Sequence, residues 1–409
     1  MAALPLPRSI LDTDLYKLTM QQAVLHHFPN KQATYKFTLR DKSAHFTRGA
    51  FQIFQEAVSH FDRLALTDDE HEWLAKTCLY FTPEYLVYLR TFRFKPAEQV
   101  NAVFVPSAAD SDVGHVEIDI TGLWADTIFW EVPLMATLSE IYFLHVATDW
   151  SYAGQDELAY QKGKALLEAD CAFSEFGTRR RRSYESQDTV IKGLVRATKE
   201  VQGKGKLSGT SNVYLAFKYN LTPVGTIAHE WFMGVAALKG YEDANSVAMD
   251  LWESVYPNAL LIALTDTFSS DAFFKSYSSD KERALRWQGL RQDSGDPFVF
   301  GTRAKAVFES LGIDPRTKMI IYSDALSIDK SLRLKRQALE LGLNVSFGIG
   351  TFFTNDFKTK SGQPSKALNM VIKLASIDGK PCVKISDDLT KNTGDAETVL
   401  RVKQIYNLV

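Results

Sequence analysis

Thr222-Pro-Val-Gly-Thr-Ile-Ala-His-Glu-Trp231 decides how this chain is read. A short apolar run, Val224 to Ala228, stops at a polar turn that carries His229 and Glu230. An isolated histidine in that position is ordinarily structural, its ring satisfied by a nearby carbonyl. Here the same layout recurs along the chain. Short runs at 171–177, 206–210, 260–265, 287–291, 318–322 and 344–349 are separated by helix-like stretches, and each stops on polar or charged groups. Alternation of this kind implies crossover units and a parallel sheet. Seven such units over roughly 180 residues favour a barrel, whose functional groups gather where the strands end around one mouth.

The groups at those ends are Gly177-Thr-Arg-Arg-Arg-Arg182, Gly209-Thr-Ser-Asn212, His229-Glu230, Asp266-Thr267, Arg291-Gln-Asp-Ser-Gly-Asp296, Ser323-Asp324 and Gly348-Ile-Gly-Thr351. Glycine turns expose backbone N–H groups to phosphate oxygens. Arginine clamps carboxylate or phosphate, and carboxylates suit Mg²⁺ or a sugar diol. Each signal is weak alone. A run of four arginines is ordinarily a solvated face, and at most one or two of them can point inward. Asp266 serves equally well as a helix cap. No HExxH zinc helix is present, since Met233 stands where the second histidine would be, and there is no GxxxxGK[ST] loop. Arg291 and Asp293, alternating directly after an apolar strand, are costly there unless used or exposed.

Composition bounds the rest. The chain has 409 residues, 45% hydrophobic and 23% charged, which is ordinary for a globular protein of two domains or of one barrel with additions. The net charge of -2 gives no general attraction to nucleic acid or anionic membranes, so any anion site is a local cluster. Cys78, Cys171 and Cys382 are odd in number and far apart, which fits a reducing compartment rather than a disulfide frame or zinc site. The opening residues do not read as a secretory signal, and no apolar run approaches a membrane span.

The first third reads as α+β. Asp12 or Thr13 is placed to cap a helix with leucines at 11, 15, 18 and 25, and Tyr16 falls off that stripe, either as a surface tyrosine or as a pocket wall. Residues 33–39, 99–105 and 116–122 alternate as antiparallel strands, and 124–148 reads as an apolar helix. Near the end, 369–376 and 380–386 flank Asp378-Gly379, a strong hairpin signal. The organisation is therefore an α+β domain with its linking helix over 1–150, an α/β barrel over 151–366, and a C-terminal hairpin and tail over 367–409 whose strands are placed to complete the first domain.

Several stretches taken together resemble the nicotinate phosphoribosyltransferase family of bacterial and fungal type. They are Leu11-Asp-Thr-Asp-Leu-Tyr-Lys17, Phe176-Gly-Thr-Arg-Arg-Arg181, Gly209-Thr-Ser-Asn212, Gly225-Thr-Ile-Ala-His-Glu-Trp231, Ala263-Leu-Thr-Asp266, Gly289-Leu-Arg-Gln-Asp-Ser-Gly-Asp296, Phe347-Gly-Ile-Gly-Thr351 and Asn369-Met-Val-Ile-Lys373. The resemblance implies a type II phosphoribosyltransferase fold, an irregular α/β barrel short of eight-fold beside a smaller α+β N-terminal domain, in a homodimer with sites near the subunit boundary. It implies transfer of phosphoribosyl from PRPP to nicotinate, giving nicotinate mononucleotide and diphosphate for NAD salvage, with Mg²⁺ and with ATP as co-substrate. His229 corresponds to the histidine that ATP transiently phosphorylates. Tyr16, Thr226 and Arg291 correspond to nicotinate contacts, Tyr16 stacking on the ring and Arg291 pairing with the carboxylate. Gly348, Gly350 and Thr351 correspond to the ribose-5-phosphate cradle, Arg179 to an arginine that lies near phosphates, Ser211 to a further substrate contact, and Asp293 and Asp324 to acidic positions near ribose and metal. The implied setting is cytoplasmic, extending to the nucleus in a eukaryote, with no nucleic-acid or membrane partner. The nearest rivals are nicotinamide or quinolinate as the accepting base; an RNA-binding role for Arg179 to Arg182 lacks interleaved aromatics, and an aldolase lacks a strand-end lysine.

Overall fold

The structure, a computed structural model, describes residues 4–225, 227–388 and 392–408. Two six-stranded sheets dominate it. The first is antiparallel and combines β1 (Gln32–Leu39), β2 (Phe46–Thr47), β3 (Val100–Pro106) and β4 (Val113–Leu123) with two strands from the far end of the chain, given below. β4 shows why it forms. Val116, Ile118 and Ile120 are buried while His115, Glu117, Asp119 and Thr121 face out, the period-two pattern of a sheet covered on one side.

The second sheet is parallel and contains β5 (Ala172–Glu175), β6 (Lys206–Thr210), β7 (Ile262–Leu264), β8 (Gly289–Gln292), β9 (Met319–Tyr322) and β10 (Asn344–Ile349), in the order β6-β5-β10-β9-β8-β7. Because β10 pairs with β5, last strand against first, the sheet curls into a barrel that stays open between β6 and β7. The seventh run expected to be a strand, Val224 to Ala228, falls between β6 and β7 in the chain, and its described residues are not in a strand. Thr210 N–H donates to the Thr222 carbonyl and Val224 N–H to Thr210, a single rung. Gly225, at φ +153°, then turns the backbone against the start of the first helix, where a Cβ would lie 3.2 Å from the Tyr16 nitrogen. Close packing replaces the ladder.

A short hairpin, β11 (Phe357–Lys358) with β12 (Pro364–Ser365), follows the barrel. Then β13 (Met370–Ile377) runs back to pair with β1 along its whole length, and β14 (Lys380–Pro381) turns onto it through Asp378 and Gly379, both at positive φ as a two-residue hairpin demands. The opening helix, Leu15–His27, lies between the two layers and is buried on nearly every side, Lys17, Gln21 and Gln22 included. Asp14, not Asp12 or Thr13, holds its N-cap position, and no side chain caps it. Five tryptophans, at 124, 130, 231, 252 and 287, are fully buried, so much of the aromatic content is packing. Cys78, Cys171 and Cys382 are free and buried. Among the described residues no helix is long and apolar enough to cross a membrane.

Candidate active site

The barrel strands end on one side in a cleft of about 830 Å³ that β13 and its flanks close from above. A smaller recess opens from it, and the two share Arg179, His229, Arg291, Asp293, Lys373 and Lys384 as walls. The imidazole, the guanidinium and the Gly348–Thr351 turn, which come from distant parts of the chain, therefore border one space.

His229 opens the helix His229–Lys239. Its Nδ1 lies 3.0 Å from the Thr267 hydroxyl, and its Nε2 lies 2.9 Å from Lys384 Nζ and 3.2 Å from Asp293 Oδ2. Burial and the Lys384 ammonium hold the ring below the usual histidine range, against the pull of Asp266 and Asp293. A neutral ring carries one N–H and one lone pair, so at neutral pH His229 presents a nucleophilic nitrogen beside a cation. Asp266 is buried; its Oδ2 accepts from Lys384 and Ser294, and its Oδ1 lies 3.8 Å from His229 Nε2 with no hydrogen bond among the described residues. It is therefore part of the site rather than a helix cap.

Arg291, on β8, donates from Nε to Ser323 at 2.8 Å and from Nη2 to Asp293 at 3.0 Å. Asp293 also accepts the Ser323 hydroxyl at 2.6 Å. Burial alone would raise the Asp293 carboxyl, but Arg291, His229 and Lys384 hold it well below the usual range, so it is ionised. This resolves the sequence problem of a charged pair after an apolar strand, since each charge has its partner.

The four arginines divide evenly. Arg179 and Arg180 line the cleft, Arg179 donating to Glu131 and Arg180 to the Met370 carbonyl. Arg181 is buried in a two-pronged pair with Asp12, and Arg182 lies over the Phe143 ring while donating to Ser365.

Two models of the nicotinate phosphoribosyltransferase family match the chain, the family domain over residues 171–409 and its N-terminal domain over 11–139. The chain belongs to the nicotinate phosphoribosyltransferase family. A nicotinate phosphoribosyltransferase from Methanosarcina acetivorans is 42% identical, with 96% of each chain covered. A crystal structure from Saccharomyces cerevisiae is similar with a TM-score of 0.97 at 38% identity, covering all of both chains, and that of nicotinate phosphoribosyltransferase from Porphyromonas gingivalis reaches 0.89 at 35%, covering 98% and 99%. The barrel with a separate N-terminal domain is thus the family's fold.

Of the residues that the resemblance to this family marked, Tyr16, Arg179, His229, Arg291, Asp293, Asp324, Gly348, Gly350 and Thr351 border the cleft or its recess. Ser211 does not. It is buried, with its hydroxyl donated to Asp14 at 2.7 Å, so it braces the start of the first helix. Thr226 lies outside the described residues. Sequence reasoning missed Arg40, Arg180, Lys366, Lys373 and Lys384 as cleft cations. Lys373 sits on β13, inside the quoted Asn369–Lys373 stretch, but a lysine alternating on a strand reads as solvent-facing. Only the pairing of β13 with β1 places it over the barrel mouth.

Proposed function

We propose that this protein transfers the phosphoribosyl group of PRPP to nicotinate, releasing diphosphate and forming nicotinate mononucleotide in NAD salvage, with ATP hydrolysed through a phosphorylated His229. The observation that carries the reading is the convergence of His229, Arg291 and the Gly348–Thr351 turn on one cleft walled by six further cations, Arg40, Arg179, Arg180, Lys366, Lys373 and Lys384. In a protein of net charge -2, such a concentration suits ligands carrying several phosphates.

The chemistry asks little covalent work of the protein. The pyridine nitrogen is already nucleophilic, so no general base is required. As the C1–O bond to diphosphate breaks, positive charge develops on the ribosyl ring and negative charge on the leaving group, which the cleft cations neutralise. Tyr16 stacks on the base and Arg291 meets its carboxylate, directing the ring nitrogen at the anomeric carbon. Nicotinamide would forgo that charge-assisted contact, a loss of about 1.5–3 kcal/mol, although Arg291 would keep Asp293 as its counter-charge. In the ATP step, the neutral His229 nitrogen attacks the γ-phosphorus, ADP leaves, and water later cleaves the N–P bond. The added charge draws on Lys384 and loosens the His229–Asp293 contact, which alters the PRPP side of the cleft.

Among the described residues, no group of three or more His, Cys, Asp or Glu is placed to hold a metal. Asp293 already has its oxygens on Arg291, Ser323 and His229. Mg²⁺ therefore enters this reading bound to the substrate's diphosphate, and no step is assigned to it. The homodimer belongs to the reading as well; light scattering that returns a single-chain mass removes it. The deciding experiment is nicotinate turnover with PRPP and Mg²⁺, with and without ATP, alongside nicotinamide and quinolinate. Absence of turnover, or equal turnover of the three bases, overturns the proposal. His229→Ala is expected to lose an acid-labile, base-stable label from γ-labelled ATP while keeping its fold.

A further inference from the structure

At the wall of the recess, which Glu131, Glu230 and Arg179 line, three helix starts meet in a connected set of charges. Lys17, in the first turn of the opening helix, is fully enclosed, with Nζ 2.6 Å from Glu131 Oε2 and 2.5 Å from Glu230 Oε2. Glu131 is the first residue of the helix Glu131–His145, and Glu230 the second of His229–Lys239, where carboxylates suit the helix dipole. Glu131 has two further donors. Arg179 Nη1 reaches Oε1 at 3.2 Å, and the Tyr16 hydroxyl reaches Oε2 at 3.3 Å. The other oxygen of Glu230, Oε1, takes the Tyr35 hydroxyl at 2.5 Å and Trp124 Nε1 at 3.0 Å. Two carboxylates and two cations cancel in formal charge, and Arg179, with 43% of its side chain exposed, is the member that faces the cleft.

Stability alone is a poor reason for this set, because buried ion pairs gain little over apolar packing of the same volume. Its arrangement has a different logic. Every donor to Glu131 is either a wall of the recess (Tyr16, Arg179) or the link to the residue after His229. We propose that Glu131 is the positioning residue of the base pocket: it holds Tyr16 and Arg179 in place before the base arrives and, through Lys17 and Glu230, ties both to the helix that begins at His229. The inference rests on nicotinate being the base. Holding a tyrosine ring and a long arginine in advance removes an ordering cost from ligand binding, so its loss falls on the base rather than on PRPP.

The test is steady-state kinetics on the full chain, wild type beside Glu131→Gln, Tyr16→Phe and the double variant, with unfolding temperature measured for each. Glu131→Gln is expected to raise the nicotinate KM about tenfold while the PRPP KM stays within about twofold. Tyr16→Phe, which removes only the hydroxyl, should raise the same KM by less and add little on top of Glu131→Gln, since both break one contact. If Glu131→Gln does not fold, Tyr16→Phe decides alone: a selective rise in nicotinate KM supports the proposal and an unchanged KM overturns it. Equal rises for nicotinate and PRPP, or full additivity in the double variant, overturn it too. Wild-type protein that does not turn over nicotinate fails the functional reading and this inference together; wild-type turnover with an unaltered Glu131→Gln fails only this inference.

Discussion

Arg291 enters the recess with two of its nitrogens already engaged, Nε on Ser323 and Nη2 on Asp293. Its plane is therefore set by the protein, and a planar carboxylate is the partner that fits such a fixed fork. Arg291→Ala is expected to raise the nicotinate KM at least tenfold, with a much smaller change for PRPP; parallel kinetics in both substrates checks it, and equal shifts would contradict the carboxylate role. Lys373 offers a pH test. Burial, with Lys384 and Arg40 nearby, brings its ammonium down to about 7. It is a cation below that point and loses its charge above it, so the PRPP KM should rise between pH 7 and 9, and Lys373→Arg should flatten the rise. The linkage sign for stability is the opposite. The unfolded lysine keeps its proton up to about 10.5, so across the window from about 7 to 10.5 the unfolded chain binds more protons and this group's burial penalty fades as pH rises.

At the scale of elements, the glycines at the end of β10 matter because of what they touch. A methyl group at Gly348 would collide with the Phe176 ring, and one at Gly350 with the Phe176 carbonyl. Both Phe176 and these glycines border the cleft. Gly348→Ala should cost about 1–3 kcal/mol through overpacking, read as a lower unfolding temperature, and should weaken PRPP as the ring is displaced. Elements governed by local pattern were legible in the sequence: the alternation of β4, the Asp378-Gly379 turn, and six of seven barrel strands. Val224 to Ala228 was not, because its apolar run resembles a strand while Gly225 commits it to packing under the first helix. The capping of that helix was also misread, since Asp12 pairs across the chain with Arg181 and takes its backbone N–H from Arg8 rather than from the helix.

Over the whole molecule, that reach is a structural tie. Arg181 donates through both terminal nitrogens to Asp12 at 2.7 and 2.9 Å, and Asn212 adds a third bond, joining the N-terminal segment to the loops after β5 and β6. Burial would raise the Asp12 carboxyl, but Arg181 and Asn212 bring it below the ordinary 3.8. Asp12→Asn leaves Arg181 enclosed without a counter-charge and should cost about 3–5 kcal/mol, measured by denaturant unfolding near neutral pH. For a lowered carboxyl the contribution is present above the unfolded value and lost as pH falls through the folded one, so wild type and variant should converge only in strong acid. β13 makes a second tie, pairing residues 370–377 with β1 and bringing Lys373 over the barrel mouth.

The amino-acid sequence by itself determined the class of fold, the strand-end chemistry and most of the cleft, because hydrophobic period, turn residues and local motifs act over a few neighbours. The tertiary structure alone decided which arginines face the ligand, that Ser211 braces a helix, and that Lys384 stands beside His229. Those outcomes depend on contacts between residues distant in the chain, most of them more than a hundred positions apart, where burial and counter-charge, rather than local pattern, settle what each side chain does.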